Sequence, residues 1–225
     1  MTPGIDIERN LERIRALVPS GVEIVAVSKF HPAEMVMEAY NAGQRHFGES
    51  RVQEFIQKEK ELPKDISWHF IGHLQTNKVK PLIGKTFLIE SVDSERLLSL
   101  IDKESEAAGV VTQVLLQVHV AQEEAKFGFY PEELLDFFDR EGYKAYKSAR
   151  ICGLMGMATN TDDVARVKED FHKIHSLFET ISKKDEPELS SFNYLSMGMS
   201  GDWPVAVEER ANIVRIGSAI FGERN

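Results

Sequence analysis

Apolar positions along the chain alternate between two rhythms, and the alternation predicts the architecture. Glu23–Val27 (EIVAV) is a short β-branched run of the kind that forms a buried parallel strand. HPAEMVMEAYNAG follows it, with Pro32 suited to a helix start and Gly43 to its stop. His46–Phe47 reads as a brief extended stretch, after which SRVQEFIQKEKEL sets Val52, Phe55, Ile56 and Leu62 roughly on one helical stripe. Next come the strand-like WHFIG (68–72), the helix-like LQTNKVKPLIGK, and the strand-like FLIES (87–91). In DSERLLSLIDKESEAAG, Asp93 or Ser94 can cap a helix and Gly109 can end it.

The second half repeats the pattern. VTQVLLQVHV (111–120) reads as a strand and PEELLDFFDREG (131–142) as a helix opened by proline. ARICGLM (149–155) is a strand, DDVARVKEDFHKIHSLFETIS (162–182) a long amphipathic helix, and SFNYLSMG (191–198) and ANIVRIG (211–217) hold the last strands. About eight strands alternating with helices imply parallel βαβ units and predict an α/β fold, a single (β/α)8 TIM barrel. An open doubly wound sheet is the alternative. Neither a linker nor a repeat interrupts the pattern, so residues 1–225 are expected to form one domain.

Composition narrows the functional classes. A chain of 225 residues buries roughly three-quarters of its unfolded surface and needs no staple. The single cysteine, Cys152, rules out an intrachain disulfide and points to a reducing, cytoplasmic setting. No run is long and apolar enough for a membrane span, and the charged N-terminal segment lacks the apolar centre of a signal peptide. A net charge of −9 argues against a nucleic-acid partner, which would need a basic face.

In a parallel barrel the chemistry sits where strands exit into helices. Strand 1 exits as EIVAVSKFHP, so Val25, Val27 and Lys29 share one face, and Lys29 lies at the barrel mouth if the valines point inward. A lysine desolvated there favours its neutral form, which attacks carbonyls; the plainer alternative is a lysine that snorkels to water. The last two exits, LSMGMSGDWP and RIGSAIFG, combine Gly198, Ser200 and Gly201 with Gly217 and Ser218. Loops after strands 7 and 8 are the recurring phosphate site of this fold, with glycine N–H groups and serine hydroxyls as donors. Tight turns would use the same glycines. Arg215 shares a face with Ile213 and Gly217, so it either meets a phosphate or an aromatic ring nitrogen, or forms a barrel-interior ion pair. Phosphate loops opposite a strand-1 lysine describe a small phosphorylated aldehyde held as an imine, for which pyridoxal 5′-phosphate (PLP) is the obvious candidate.

The stretches VAVSKFHP, GQRHFGESRVQE, WHFIGHLQTNK, GLMGMA, LSMGMSGD and VRIGSAIFG together resemble the motifs of the pyridoxal phosphate homeostasis protein family, over about Val25 to Gly222. The resemblance implies a PLP fold-type III barrel like the N-terminal domain of alanine racemase, without that enzyme's C-terminal β-domain. It implies the cofactor on Lys29, phosphate held by Ser200, Gly217 and Ser218, and Arg215 facing the pyridine nitrogen. Two positions depart from the family pattern: Ser50 stands where asparagine is usual after FGE, and Ala125-Lys126 where a serine often precedes the lysine.

An arginine beside the pyridine nitrogen keeps it unprotonated and weakens the ring as an electron sink. The resemblance therefore implies a protein that binds, buffers and delivers PLP, with PLP-dependent apo-enzymes as recipients and a monomeric or dimeric state. A weak amino-acid racemase is the alternative, and would need a second base such as His73, His119 or Tyr194 at the mouth. A phosphosugar enzyme would place its lysine on a mid-barrel strand beside carboxylates. A metal enzyme fits least: His69/His73 and His172/His175 are suggestively spaced, but neither pair has an evident third ligand. Lys78, Lys80 and Lys126 are candidates for adventitious aldehyde pickup.

Overall fold

A computed structural model of the protein, describing residues 5–122 and 127–223, resolves the two rhythms into a closed barrel of eight parallel strands in sequential order. The expected positions Ala125 and Lys126 lie outside the described residues. The strands are β1 (Glu23–Val27), β2 (His46–Glu49), β3 (Ser67–Phe70), β4 (Leu88–Val92), β5 (Thr112–Val118), β6 (Ala149–Gly156), β7 (Tyr194–Ser196) and β8 (Ile213–Ile216). Pairing of Val25 with Arg215 and of Ala26 with Ile216 closes the sheet between β1 and β8, which excludes the open doubly wound alternative.

Side-chain alternation sorts residues into two cores. Val25, Leu88, Leu115, Cys152, Met155 and Ile213 fill the barrel interior. Their neighbours Ile24, Ala26, Ile89, Val114 and Val214 face outward and pack beneath the helices. Each fully buried side chain of this size contributes about 1.5–3 kcal/mol of transfer free energy.

The helical layer is α1 (Ile7–Leu17), α2 (Ala33–Asn41), α3 (Val52–Glu61), α4 (Glu95–Ala108), α5 (Pro131–Asp139), α6 (Val164–Ser182), α7 (Trp203–Glu208) and α8 (Ser218–Phe221). Of the two capping candidates before α4, Ser94 does the capping, accepting from Leu97 N–H, and Gly109 ends the helix at φ 67°. Helix α1 lays Ile7, Leu11 and Ile14 against the barrel, and the Asn10 amide donates to the Ile220 carbonyl, tying α1 to α8.

One expected helix is corrected. LQTNKVKPLIGK forms only two 3-10 turns, Thr76–Lys78 and Lys80–Leu82. Pro81 brings no N–H to an α-helical ladder and its ring opposes the carbonyl four residues back. The segment from Ser218, expected from the sequence to open a short helix, does so as α8, whereas α7 within the DWP stretch is an element the apolar pattern did not mark. No helix among the described residues is long and apolar enough to cross a membrane.

Candidate functional site

The strand-1 exit is a strained turn that presents Lys29. Val27 and Lys29 face the barrel mouth together, as the alternation from Val25 requires. The His31 N–H closes the turn on the Ser28 carbonyl at 3.1 Å, while Ser28 N–H donates to the Gly48 carbonyl of β2. Phe30 sits in the left-handed region at φ 67°, a cost of about 1–3 kcal/mol for an aromatic residue. Its N–H donates to Glu54 Oε2 at 2.7 Å, and the Arg51 guanidinium lies 4.3 Å from its ring centre. Both partners come from the start of α3, so the second βα unit holds the first one's exit bent.

Behind that turn lies a buried ion pair. Ser28 Oγ and Lys58 Nζ both donate to Glu49 Oε1 at 2.6 Å, and Lys58 also donates to the Ser28 carbonyl at 2.8 Å. Lys58 is thus buried on the apolar stripe of α3, a position that its residue type did not announce. Glu49 Oε2 is buried with no hydrogen-bond partner. Burial pushes the Glu49 carboxyl above the ordinary carboxylate range, against the pull of Lys58 and Ser28.

The two glycine-rich loops meet across the mouth from Lys29. Gly217 N–H donates to Ser200 Oγ at 3.1 Å, and Arg215 N–H to the Gly198 carbonyl at 3.0 Å, which stitch the β7 and β8 exits together. Gly198 satisfies the tight-turn reading: its φ is 88°, and a Cβ there would sit 2.7 Å from Ala206 Cβ. Gly201 does not, since a Cβ there would meet nothing within 4 Å and its φ is ordinary.

Lys29, Ser200, Arg215, Gly217 and Ser218 all line one cavity of about 250 Å³. Ser50 lines it as well, so the departure from the family pattern falls at the site itself. Sequence reasoning did not assign its apolar walls, Ile71, Met155, Met157 and Met199. Met155 and Met157 stand in the GLMGMA stretch and Met199 in SMGMS, which is the signal that could have found them.

Arg215 fulfils the interior ion-pair reading while still lining the cavity. It is buried, its NH1 donating to Ser196 Oγ at 2.5 Å and standing 3.7 Å from Glu90 Oε2, its NH2 donating to the Gly156 carbonyl at 2.9 Å. Ser196 Oγ passes its own hydrogen to Glu90 Oε2 at 2.5 Å, and His69 Nδ1 lies 2.6 Å from Glu90 Oε1. Burial alone would raise the Glu90 carboxyl, but the His69 hydrogen bond, the charges of His69 and Arg215 and the Ser196 hydroxyl outweigh it and hold it below the ordinary range. Burial lowers the Arg215 pKa, partly offset by Glu90 and Asp202, and a guanidinium stays charged all the same.

Other expected groups fall elsewhere. None of His73, His119 and Tyr194 lines the cavity: His73 pairs with Asp93 at 3.0 Å, His119 packs edge-on to Tyr130, and Tyr194 packs with the interior core. His69 and His73 diverge, one buried inside the barrel and the other exposed. His172 and His175 do acquire a third potential ligand that sequence spacing hid, Glu209, whose Oε2 lies 2.9 Å from His172 Nδ1. Burial raises the Cys152 thiol to about 11, so it stays neutral within the core.

The arrangement joins a lysine amine, a buried guanidinium and hydroxyl and amide donors around a small cavity with apolar walls. It can receive an anionic, partly aromatic molecule that carries a carbonyl.

Comparison with known proteins agrees with this geometry. The model of the family "Alanine racemase, N-terminal domain" matches residues 5–225. The pyridoxal phosphate homeostasis protein of Aquifex aeolicus is 40% identical over 97% of this chain and 96% of its own, and that of Schizosaccharomyces pombe 39% identical over 90% and 84%. PipY of Synechococcus elongatus, 36% identical, covers 96% of this chain and 100% of its own, with TM-scores of 0.90 for its structure without PLP and 0.87 for that with PLP bound. Alanine racemase from E. faecalis shares the fold at 17% identity and a TM-score of 0.75, matched over 98% of this chain and 59% of the racemase.

Proposed function

This chain belongs to the family of the alanine racemase N-terminal domain, and from that premise we propose that it is a non-catalytic pyridoxal 5′-phosphate-binding protein of intracellular cofactor homeostasis. The observation that carries the reading is the convergence of Lys29, Ser200, Arg215, Gly217 and Ser218 on one small cavity at the barrel mouth. When bound, the cofactor supplies an aldehyde that condenses with a lysine amine, with loss of one water. Lys29 is the amine that lines that cavity and would be the one to take up the aldehyde. The Ser200 and Ser218 hydroxyls and the Gly217 backbone hold the phosphate. Arg215, fixed by Ser196 and the Gly156 carbonyl, would present its cation to the pyridine nitrogen and keep a proton off it.

Binding without turnover follows from what surrounds Lys29. Among the described residues that line the cavity, Lys29 is the one amine, and no carboxyl or imidazole accompanies it; the rest are apolar, hydroxyl, glycine or guanidinium. Racemisation needs a second base on the opposite face of the substrate. The protein thus binds, buffers and delivers PLP in the cytoplasm, with PLP-dependent apo-enzymes as its recipients.

Borohydride reduction of the PLP-loaded protein, followed by peptide mass spectrometry, tests the reading. A phosphopyridoxyl group on Lys29 is expected, and Lys29→Ala removes both the label and the violet absorption of the imine. Label confined to other lysines, or amino-acid racemisation at an ordinary enzymatic rate, would overturn it.

A further inference from the structure

A continuous row of polar side chains crosses the barrel from its amino-terminal rim to the cavity wall. It runs from Glu23 on β1 through His46 on β2, His69 on β3, Glu90 on β4 and Ser196 on β7 to Arg215 on β8. Polar side chains crossing a barrel interior are expensive to bury unless each finds a partner, and here every neighbouring pair from His46 to Arg215 is within hydrogen-bond distance.

Hydrogen counting fixes how the row works. The Glu90 carboxylate is an acceptor, so His69 Nδ1, 2.6 Å away, carries a hydrogen. The 2.9 Å contact between His69 Nε2 and His46 Nδ1 needs one hydrogen as well, and either ring can supply it. If His69 supplies it, His69 is an imidazolium, and His46 keeps its own hydrogen on Nε2, which lies 3.6 Å from Glu23 Oε2. If His46 supplies it, His69 is neutral, His46 offers a bare Nε2 toward Glu23, and the third hydrogen of the row sits on Glu23. The two arrangements hold the same number of hydrogens. They interconvert when the His46 Nδ1 proton passes to His69 Nε2 and the Glu23 proton passes to His46 Nε2.

We propose that this row relays a proton between Glu23 at the amino-terminal rim and His69 beside Glu90, so that protonation at one end of the barrel sets the charge next to Arg215 at the other. Glu23, His46 and His69 are positioning residues in this scheme, acting on the cavity through Glu90 and Arg215. The relay stands on the geometry of the row; its effect on ligand binding rests on the PLP reading above.

The groups facing the row agree with it. Burial raises the Glu23 carboxyl, against the charges of His69 and Arg15, so it takes up a proton above the ordinary carboxylate range. Burial and the charge of His69 lower His46 to about 4, partly offset by Glu90, so His46 passes a proton along without keeping a second one. Cys152 on β6 and Tyr194 on β7 are both pushed up by burial and stay neutral, and Arg150 and Asp202 are the charged neighbours of Cys152 and Arg215. Phe87 packs edge-on to His46 at 5.2 Å and tilted against His69 at 5.3 Å, which shields the two rings. A positive His69 shares the Glu90 carboxylate with Arg215, so the net charge behind the cavity rises and an anionic ligand binds more tightly.

Two measurements test the relay. The first follows the histidine ring nitrogens of the ligand-free protein by 15N NMR between about pH 5 and about pH 9. As the pH falls, His46 should change from the Nδ1–H to the Nε2–H tautomer in step with protonation of His69. In Glu23→Gln the amide can face His46 Nε2 as donor or as acceptor but has no proton to transfer, so the His46 tautomer should no longer change in step with His69. Separate titration of the two rings, fixed tautomers in the wild type, or a switch that survives Glu23→Gln overturns the proposal. The second compares PLP half-saturation near pH 6 and pH 8. The wild type should gain about three- to tenfold more affinity on acidification than Glu23→Gln and His46→Gln do. Glu23 lies six residues from Lys29, about 20 Å along a strand, so it touches no ligand itself. Matching pH profiles in all three proteins overturn the coupling. If none of them forms the violet imine band, the cofactor reading falls, and the tautomer measurement alone decides the relay.

Discussion

Glu49 on β2 and Glu90 on β4 are both fully buried carboxylates in one barrel, yet their surroundings drive them in opposite directions. Glu90 points into the barrel and shares its load between two oxygens, Oε1 with His69 and Oε2 with Ser196 and the nearby Arg215. Its carboxyl is held below the ordinary range. Glu49 points outward under α3 and spends Oε1 on both Ser28 and Lys58, while Oε2 has no partner. Burial wins there, and its carboxyl is raised. Nearness of one cation is the same in both, since Lys58 Nζ lies 2.6 Å from Glu49 Oε1 and His69 Nδ1 2.6 Å from Glu90 Oε1, but Glu90 has Arg215 as a second positive neighbour. The second positive neighbour and the bonded second oxygen together separate the two, because an unpaired buried acceptor keeps its whole desolvation cost.

The two shifts carry opposite signs of pH-linked stability. For Glu90, folded below its unfolded value of about 4.3, the stabilisation is present above that value and lost as pH falls through the folded one. For Glu49, folded above its unfolded value, the native state binds the extra proton, so stability falls as pH rises from about 4.3 through the folded value.

The largest expected effect that tests this contrast is Glu90→Leu. It leaves Arg215 and His69 buried without their shared anion and should destabilise the fold by about 3–5 kcal/mol in urea unfolding at pH 7. Lys58→Met should cost less, about 1–3 kcal/mol, because Glu49 keeps the Ser28 hydroxyl as a donor and its raised carboxyl can take up a proton once the cation is gone. An equal loss in the two variants would break the comparison. Smallest is Glu49→Gln, expected to lie within about 1 kcal/mol of the wild type at pH 7, since the amide oxygen still accepts from Ser28 and Lys58. Unfolding curves over a pH series sharpen the contrast. The stability gap between wild type and Glu90→Gln should widen as pH rises from about 3 to about 6, whereas Glu49→Gln should gain on the wild type as pH rises over the same range. Parallel curves for the two variants would mean the carboxylates are equivalent after all.

Much of this was legible from residue order. The β1 range matches the EIVAV run, and the face shared by Val25, Val27 and Lys29 is the inward one. The loops at Ser200 and Gly217 do meet at one mouth. LQTNKVKPLIGK misled because apolar spacing alone does not register that Pro81 breaks the ladder. Lys58 and Glu49 gave no hint of pairing, because a charged residue on an amphipathic helix ordinarily marks the solvent face. Glu209 was invisible as a neighbour of His172 for the same reason that long-range partners generally are: nothing local records the approach of α7 to α6.

Residue order carries the alternation of strands and helices, the inward face of β1 and β8, and the family motifs at the strand exits. These depend on periodicity and short-range sterics, which each segment carries alone. Long-range packing adds that the sheet closes, that Phe30 is held in a left-handed turn by Glu54 and Arg51, and that six side chains from six strands line up between Glu23 and Arg215. Closure brings β8 beside β1 and sets side chains far apart in the chain within hydrogen-bond distance, in a low-dielectric interior where such contacts govern charge.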